Sequence, residues 1–532
     1  MGEKEHYTTF KMSAPMARTC RKYLFHFVNE HVEFRLPELK AIASVVDTTV
    51  NCVTKYDNEN PFLVVEIPSE ESAKKVASRA VLVRSFYEVW ATGKTFDGLI
   101  ENLRLLPSEV FKPFLPPDKT FCINVETYNK TLSLKEKIKK IEELCRVLKP
   151  EGKVNLKTPD VTLQLFEYYK REGRDSAAEP SVLYAGRWVA DGFRDGSRKR
   201  FSLKTRCFIG NTSMDPSLAL IMANMGQVKD CDIVVDPFVG TGSLLVACAH
   251  FGGFVMGTDI NYTLLHAKGK PSRHNQTKRA PDESVAANMK QYRLSNRYLD
   301  VILADAAKCN IYRPGLKFDA IITDPPYGLR ESTRTIAPQK GLQLTEEEKT
   351  LWIPSKSKYE LADIFRDLLN FAAKYLTIGG RLVYWMPVIR PDYKDSHLPK
   401  HPCLSLAANS EQILTMQIGR RLITMEKTLE YEENMQTYIE EDHFQDNVAF
   451  REKCFPPLAE KQLPRKVRKM ERKRARRKSL EKEGISEGSS QAKGSRVTKD
   501  KSSSMEAECS ADGSSAHAGT ADCADQLEPS LT

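Results

Sequence analysis

The sequence lacks several features that would place it in a familiar class. No stretch holds about 18 consecutive apolar residues, which argues against a transmembrane helix, and the polar residues 1–4 are unlike a secretory signal. The 12 cysteines are scattered singly, without a Cys-x-x-Cys pair or a nearby histidine set, so neither a metal site nor a redox couple is predicted. We therefore expect reduced, mostly buried thiols in a cytoplasmic protein.

The composition indicates a multidomain protein that can bind a polyanion. The chain has 532 residues, enough for two or three domains plus a tail, and its hydrophobic share of 41% supports real cores. The formal net charge of +10 is modest but concentrated in patches, which favours a nucleic-acid partner.

Composition shifts along the chain predict six segments. These are a disordered leader (1–18), a small α+β domain (19–68), a second α+β domain (69–175), a linker rich in Gly, Arg, Lys and Asp (176–208), an α/β domain (209–450) and a tail (451–532). The tail holds a basic run, then a Ser/Gly/Ala/Glu-rich stretch that cannot bury enough apolar surface to fold. An RNA-grasping arm, a nuclear-import signal and a solvated helix all remain open for the basic run.

The segment 209–450 alternates strand and helix patterns. Short apolar runs at 233–235, 254–257, 301–303, 320–322 and 381–385 are separated by stretches of helical length. Continuous apolar strands suit a parallel sheet that is buried on both faces. The predicted fold class is therefore α/β, with a Rossmann-like doubly wound sheet preceded by two α+β units.

A glycine turn and two acidic strand ends suggest a nucleoside cofactor. The sequence Asp-Pro-Phe-Val-Gly-Thr-Gly at 236–242 follows a strand, so Gly240 and Gly242 can adopt positive φ and let a ligand approach the backbone. Asp259 ends the next strand and can accept ribose hydroxyls, while Asp305 ends a third and can accept an adenine amine. The Gly-x-Gly-x-x-Gly spacing of dinucleotide folds is absent. Each piece alone is common in α/β proteins, but the three in order predict a cofactor site.

The second informative motif is Asp-Pro-Pro-Tyr at 324–327, directly after the strand at 320–322. The carboxylate of Asp324 and the carbonyl of Pro325 can accept both N–H groups of an exocyclic base amine and orient its lone pair toward a methyl donor. Pro326 stiffens the loop, and Tyr327 offers a face on which a flipped base can stack. The alternative is a proline-rich turn with a surface tyrosine; together with the cofactor motif we favour methyl transfer to a base amine.

A loop after Asp259 is strongly basic. Contact with RNA phosphates is one interpretation and a solvated loop is the other. The predicted RNA-binding residues are Lys268, Lys270, Arg273, Lys278 and Arg279.

Both motifs together resemble the Rossmann-like S-adenosylmethionine-dependent amino-methyltransferases that act on nucleic acids. Asn-Thr-Ser-Met-Asp-Pro at 211–216 is similar to an extra cofactor-side motif of RNA guanine-N2 methyltransferases, and residues 154–161 are similar to the end of a THUMP domain, a tRNA-binding module. With residues 186–192 and the basic loop, the segment from about 18 to 450 resembles the catalytic subunits of eukaryotic tRNA (guanine-10-N2)-methyltransferases.

The resemblance implies roles for matching positions. It implies S-adenosylmethionine as cofactor, a guanine held by Asp324, Pro325, Pro326 and Tyr327, a THUMP-like unit at 69–175 that grips tRNA, and a small zinc-binding activator subunit in a heterodimer. The implied cofactor-binding residues are Asn211, Asp236, Pro237, Gly240, Gly242, Asp259 and Asp305. Alternatives are a sister THUMP methyltransferase acting on another tRNA guanosine, methylation of adenine N6 or a ribose hydroxyl, and a non-catalytic tRNA-binding platform.

Overall fold

The structure is a computed structural model that describes residues 21–173, 175–274, 276–308, 311–328, 333–336 and 356–439. The predicted leader and tail, including the basic run, lie outside the described residues. Strand and helix types follow the sequence patterns closely in most of the described chain.

The first half of the chain builds one seven-stranded sheet with the order β2-β3-β1-β4-β9-β6-β5. Its strands are antiparallel except for β5 and β6, which run parallel. The bounds are β1 Arg21–Phe27, β2 Asn51–Cys52, β3 Phe62–Ile67, β4 Val83–Gly93, β5 Phe121–Tyr128, β6 Val161–Tyr168 and β9 Val182–Asp191; a small hairpin pairs β7 Arg171–Glu172 with β8 Asp175–Ser176.

Helices cover this sheet over two separate cores. Residues of α1 and α2 pack in one core with β1 and β3, and residues of α3 and α5 pack in another with β5 and β6. Helix α2 begins after the cap Ser69, whose side chain accepts the Ser72 N–H, and α5 begins after Ser133 in a capping box with Glu136. The bounds are α1 Arg35–Val45, α2 Glu70–Ala77, α3 Phe96–Leu105, α4 Ser108–Phe111, α5 Leu134–Leu148 and α6 Arg194–Arg200.

The predicted linker at 176–208 is the main difference from the sequence prediction. It contains β9, which lies between β4 and β6 in the sheet, and α6. Its charged residues suggested a solvated connector, but Arg187 is buried and forms ion pairs with Glu88 at 3.0 Å and Glu70 at 2.6 Å. The sheet also continues across the predicted boundary at 68/69, because β1 pairs with both β3 and β4.

The second half builds another seven-stranded sheet with the order β12-β11-β10-β13-β16-β18-β17. The first five of these strands are parallel, as predicted, while β18 runs antiparallel to β16 and β17. The bounds are β10 Ile233–Asp236, β11 Phe254–Asp259, β12 Tyr298–Leu303, β13 Phe318–Thr323, β16 Leu376–Ile389, β17 Leu404–Ile413 and β18 Ile418–Lys427; β14 Arg334–Ile336 pairs with β15 Lys356–Lys358.

Both faces of this sheet are covered, which explains the continuous apolar strands. Val234 and Ile322 face a core shared with α7 and α8, while Val235 and Ile321 face a core shared with α11. The bounds are α7 Pro216–Met225, α8 Ser243–His250, α9 Tyr262–Leu265, α10 Val285–Gln291 and α11 Leu361–Tyr375.

A buried polar cluster joins the two halves. The Glu38 carboxylate accepts the N–H groups of Val81 and Leu82 and the side-chain amide of Asn224, which lies on α7. Arg79 donates to the Asn224 side chain and to the Val228 carbonyl. Burial raises the pKa of Glu38 to about 7.

Within the described residues, no helix is long and apolar enough to cross a membrane, and no group of three or more His, Cys, Asp or Glu side chains could hold a metal ion. The seven described cysteines are all free, but only Cys122, Cys248 and Cys403 are buried, so the prediction of mostly buried thiols was wrong for this part of the chain.

Candidate active site

The two sequence motifs lie side by side at one edge of the second sheet. Strand β10 pairs in parallel with β11 on one side and β13 on the other, so the strand order changes direction at β10. Ligands of open α/β sheets bind beyond the strands' carboxyl ends at such a point. The glycine turn follows β10 and the Asp-Pro-Pro-Tyr loop follows β13, so the two loops are neighbours at this edge.

Asp236 ties the two loops together. The carboxylate is buried, and its Oδ1 accepts the Thr323 hydroxyl at 2.6 Å and the Phe238 N–H at 3.0 Å. Burial raises the pKa of Asp236 to about 7, and the nearby Asp259 and Asp324 carboxylates act in the same direction. Since Thr323 directly precedes Asp324, Asp236 positions the second motif against the first.

The glycine turn has the predicted backbone. Gly240 and Gly242 have φ of 53° and 75°, values that favour glycine. A Cβ on Gly240 would meet nothing within 4 Å, whereas a Cβ on Gly242 would lie 2.6 Å from a methyl of Val285. Gly240 therefore leaves space above the turn, and Gly242 allows the turn to pack on α10. Pro237 contributes its carbonyl, which accepts the Thr258 hydroxyl at 3.1 Å.

The two acids predicted to bind the cofactor, Asp259 and Asp305, also lie at this edge of the sheet, and both accept hydrogen bonds from the chain itself. Asp259 accepts the Gly240 N–H through Oδ2 at 3.0 Å and the Asn261 N–H through Oδ1 at 2.8 Å. Asp305 is buried, and its Oδ2 accepts the Thr335 hydroxyl and the Ile336 N–H, each at 2.7 Å. A cofactor would therefore share these oxygens with bonds that the chain already makes.

The Asp324 carboxylate lies between a phenol and a guanidinium. The Tyr327 hydroxyl donates to Oδ1, and Nη1 of Arg420 lies 3.4 Å from Oδ2. Burial and the adjacent carboxylate raise the pKa of Tyr327 well above its usual range, so its phenol stays protonated. Pro325 is buried while Asp324, Pro326 and Tyr327 are half-buried, which leaves this loop accessible at the edge of the sheet.

The segment containing Asn211 lies against the glycine turn. The Ser213 hydroxyl forms a hydrogen bond of 2.6 Å with the Thr241 hydroxyl, and Asn211 itself is an exposed turn residue two positions earlier. Asn211 therefore lies in a turn held close to the predicted cofactor loop.

The basic loop divides into two kinds of residue. Lys268, Lys270 and Lys278 are exposed, as phosphate contact requires. Arg279 instead pairs with Glu283 at 2.6 Å, with both side chains under a tenth exposed, and donates to carbonyls of residues 209, 269 and 270. Arg273 donates to carbonyls of residues 206 and 207. The assignment of these two arginines to RNA phosphates is thus disfavoured, because their guanidinium groups hold the loop itself.

Several site residues gave no usable sequence signal. In the sequence, Thr323 is not distinguished from other strand residues. Arg420 lies on an antiparallel strand about a hundred positions after Asp324. The pairing of β16 with both β13 and β18 brings Arg420 to the Asp-Pro-Pro-Tyr loop.

Two family profiles and several curated proteins match the sequence of this chain. The profile described as Tmrp11 THUMP N-terminal domain matches residues 21–194, and the profile described as RMKL-like, methyltransferase domain matches residues 204–340. Curated proteins called tRNA (guanine(10)-N(2))-methyltransferase TRMT11 are 46% identical in Homo sapiens (83% of this chain, 96% of that protein) and 36% identical in Dictyostelium discoideum (78% and 83%).

The chain belongs to the TRMT11 family of tRNA (guanine(10)-N(2))-methyltransferases. The first profile covers both predicted amino-terminal units and β9, in agreement with the continuous sheet of this TRMT11-family chain. Among solved structures, it is similar to TrmN from Thermus thermophilus (16% identity, TM-score 0.39, 76% of this chain, 99% of that chain) and to SMU.472, a putative methyltransferase complexed with SAH (10%, 0.38, 78%, 100%).

Proposed function

We propose that the protein methylates N2 of the guanosine at position 10 of tRNA, using S-adenosylmethionine, as the catalytic subunit of a heterodimer with a small zinc-binding activator. The observation that carries the proposal is the placement of Asp324 beside the glycine turn at the strand-order switch. The TRMT11 relatives support the substrate and the position.

The residues around the glycine turn fit an adenosyl group. The open space above Gly240 admits a ligand. The Asp259 carboxylate lies beside this space, because it accepts the Gly240 N–H. Asp305 lies beyond the neighbouring β12, where its carboxylate can accept an amine while retaining the Thr335 bond, because each carboxylate oxygen has two lone pairs. Asn211 and Pro237 are proposed to complete this pocket.

The chain's own residues prepare the amine for attack. Asp324 and the Pro325 carbonyl accept the two N2 protons, which holds the nitrogen lone pair toward the methyl group. S-adenosylmethionine held there would supply the electrophilic methyl, and its sulfur would keep the electron pair of the broken carbon–sulfur bond. One N2 proton then passes to the Asp324 carboxylate or to water. Tyr327 and Pro326 flank the base, and its stacking contributes about 1 to 3 kcal/mol.

The amino-terminal sheet is proposed to bind tRNA. It contains a cavity of about 280 Å³ lined in part by His26, Arg84 and Tyr128, and by Arg194, which is ion-paired with Glu30. Arginine and aromatic side chains in one depression suit phosphate and base contacts. The exposed Lys268, Lys270 and Lys278 add positive charge near the catalytic domain.

The outer edge of β12 is proposed as the activator's docking surface. This strand pairs with β11 on one side, and its Leu299, Ile302 and Leu303 side chains are 52%, 42% and 48% exposed. An exposed apolar edge strand invites pairing with another chain. Asp305 lies just after β12, so a partner there would also steady the cofactor pocket.

The central experiment incubates the purified chain, with and without the activator, with unmodified tRNA and labelled S-adenosylmethionine. Nuclease digestion and mass spectrometry then locate the product. N2-methylguanosine at position 10 is expected, with a higher rate when the activator is present. Methylation at another guanosine would indicate the sister activity, and failure to bind labelled cofactor even with the activator would indicate a non-catalytic tRNA-binding platform.

The docking surface is tested by Ile302→Lys, with Leu406→Lys on the opposite edge strand β17 as a matched control, since Leu406 is 52% exposed. The first variant should lose the activator in size-exclusion chromatography while the second retains it. Equal binding by both variants would show that the activator docks elsewhere.

A further inference from the structure

Arg420 is held rigidly beside the catalytic carboxylate. Its guanidinium carbon lies 3.9 Å from the ring centre of Trp385, which is fully buried, and its Nε donates to Gln412 at 2.7 Å. Its Nη1 reaches Asp324 Oδ2 at 3.4 Å, and the side chain is 15% exposed. Stacking and two directed hydrogen bonds fix the plane of the guanidinium before any substrate arrives.

The guanidinium has more N–H donors than its contacts in the described part of the chain use. Nε donates to Gln412, Nη1 donates to Asp324, and the group also interacts with the Tyr327 hydroxyl. Arginine carries five N–H donors and cannot accept a hydrogen bond. The site therefore presents a fixed donor directly next to the acceptors of Asp324.

That pattern matches one edge of guanine. Guanine carries the O6 acceptor beside its N1–H and N2–H donors, whereas adenine carries an amine donor where guanine has O6. Resting on the proposed function, we propose that Arg420 donates to O6 of the target guanine while Asp324 holds N2, so that the pair admits guanine and rejects adenine. Adenine would place its amine donor against the arginine and leave a desolvated donor unpaired.

The alternative is that Arg420 only positions the Asp324 carboxylate and does not contact the base. The two roles are separated by a substrate that keeps the reacting amine but lacks O6. In 2-aminopurine the N2 amine is present and the oxygen is absent, so an O6 contact cannot form, whereas positioning of Asp324 would matter equally for both bases.

The test uses the full-length chain with its activator and tRNAs assembled with guanosine or 2-aminopurine riboside at the methylated position. Methyl incorporation gives kcat/KM for each substrate. The wild type should prefer guanosine; Arg420→Met should lower kcat/KM for guanosine by about 10- to 100-fold and leave 2-aminopurine nearly unchanged. Guanine and 2-aminopurine also differ at N1 and in the reactivity of the amine. These differences affect the wild type and Arg420→Met equally, so they cancel when the guanosine to 2-aminopurine ratio of kcat/KM is compared between the two enzymes.

The ratio between substrates is independent of the fraction of folded enzyme, so partial misfolding of the variant does not obscure it. Arg421→Met is the matched control, since Arg421 stacks 4.3 Å from the Tyr393 ring and donates to Asn409. It should retain the wild-type preference. Equal losses on both substrates in Arg420→Met would overturn the O6 contact alone, whereas a wild type that forms no N2-methylguanosine would overturn the proposed function as well.

Discussion

Glu38 should make the stability of the folded chain depend on pH in a defined window. Its carboxyl is fully buried between the two halves, and burial raises its pKa from 4.5 to about 7 despite three hydrogen bonds that favour the charged form. The folded state thus binds this proton more tightly than the unfolded chain. The contribution of Glu38 to the unfolding free energy falls as pH rises from 4.5 to about 7 and stays lowered above that.

The size of the effect follows from the two pKa values. Each unit corresponds to 1.36 kcal/mol, so the rise from 4.5 to about 7 gives about 3 kcal/mol. Glu38→Gln cannot ionise and should lack this loss. Its amide offers one acceptor oxygen instead of two, which adds a constant offset but no dependence on pH.

Urea unfolding of both proteins between pH 4.5 and 8 measures the difference. The unfolding free energy of Glu38→Gln relative to wild type should rise by about 3 kcal/mol across this range. Glu109→Gln, at an exposed helix position, should follow the wild type at every pH. Parallel curves for wild type and Glu38→Gln would refute the raised pKa.

Three further predictions concern the candidate site. Asp324→Asn should lower kcat by about 100-fold or more while calorimetry shows unchanged cofactor affinity; near-normal turnover would remove Asp324 from the mechanism. Gly242→Ala should weaken cofactor binding and lower the melting temperature, because its Cβ would lie 2.6 Å from a valine methyl at positive φ, whereas Gly196→Ala, which meets nothing within 4 Å, should do neither. Arg279→Met should destabilise the fold by about 3 kcal/mol, because the buried Glu283 carboxylate loses its ion pair and keeps only its bonds from Gln276 and Ala280. Lys278→Met should leave stability intact and reduce the salt dependence of tRNA binding; the reverse outcome would restore Arg279 as a phosphate ligand.

Local signals predicted the elements well where their causes are local. Helix α5 is an example: Ser133 as a cap and apolar residues at helical spacing predict a helix to about Leu148, which is where α5 ends. Strand β9 was missed because the partners of Arg187 lie 99 and 117 positions earlier, so no local pattern distinguishes it from a solvated charge. The sequence around Arg187 does not show that its charge is buried, because its partners become its neighbours only in the folded sheet.

The candidate site divides in the same way. Acids at the ends of parallel strands could be predicted because those ends share one edge of the sheet, and this places Asp236, Asp259 and Asp324 together. The contacts among them could not, since Thr323 reaches Asp236 across the sheet and Arg420 arrives from an antiparallel strand. The sequence therefore indicated which carboxylates lie together, but not which residues donate hydrogen bonds to each of them.

The junction between the two halves has a consequence for substrate choice. Phe34, Val81 and Leu82 of the first half share one core with Met222 and Trp385 of the second. A hinge motion here would expose that apolar core to water and break the hydrogen bonds to the Glu38 carboxylate, each worth about 1.5 to 3 kcal/mol when the acceptor is charged. The sheet that is proposed to bind tRNA and the Asp-Pro-Pro-Tyr loop should therefore move as one body. On the proposed function, the distance between these two surfaces selects the nucleotide that reaches Asp324, and the groups beside Asp324 select its base.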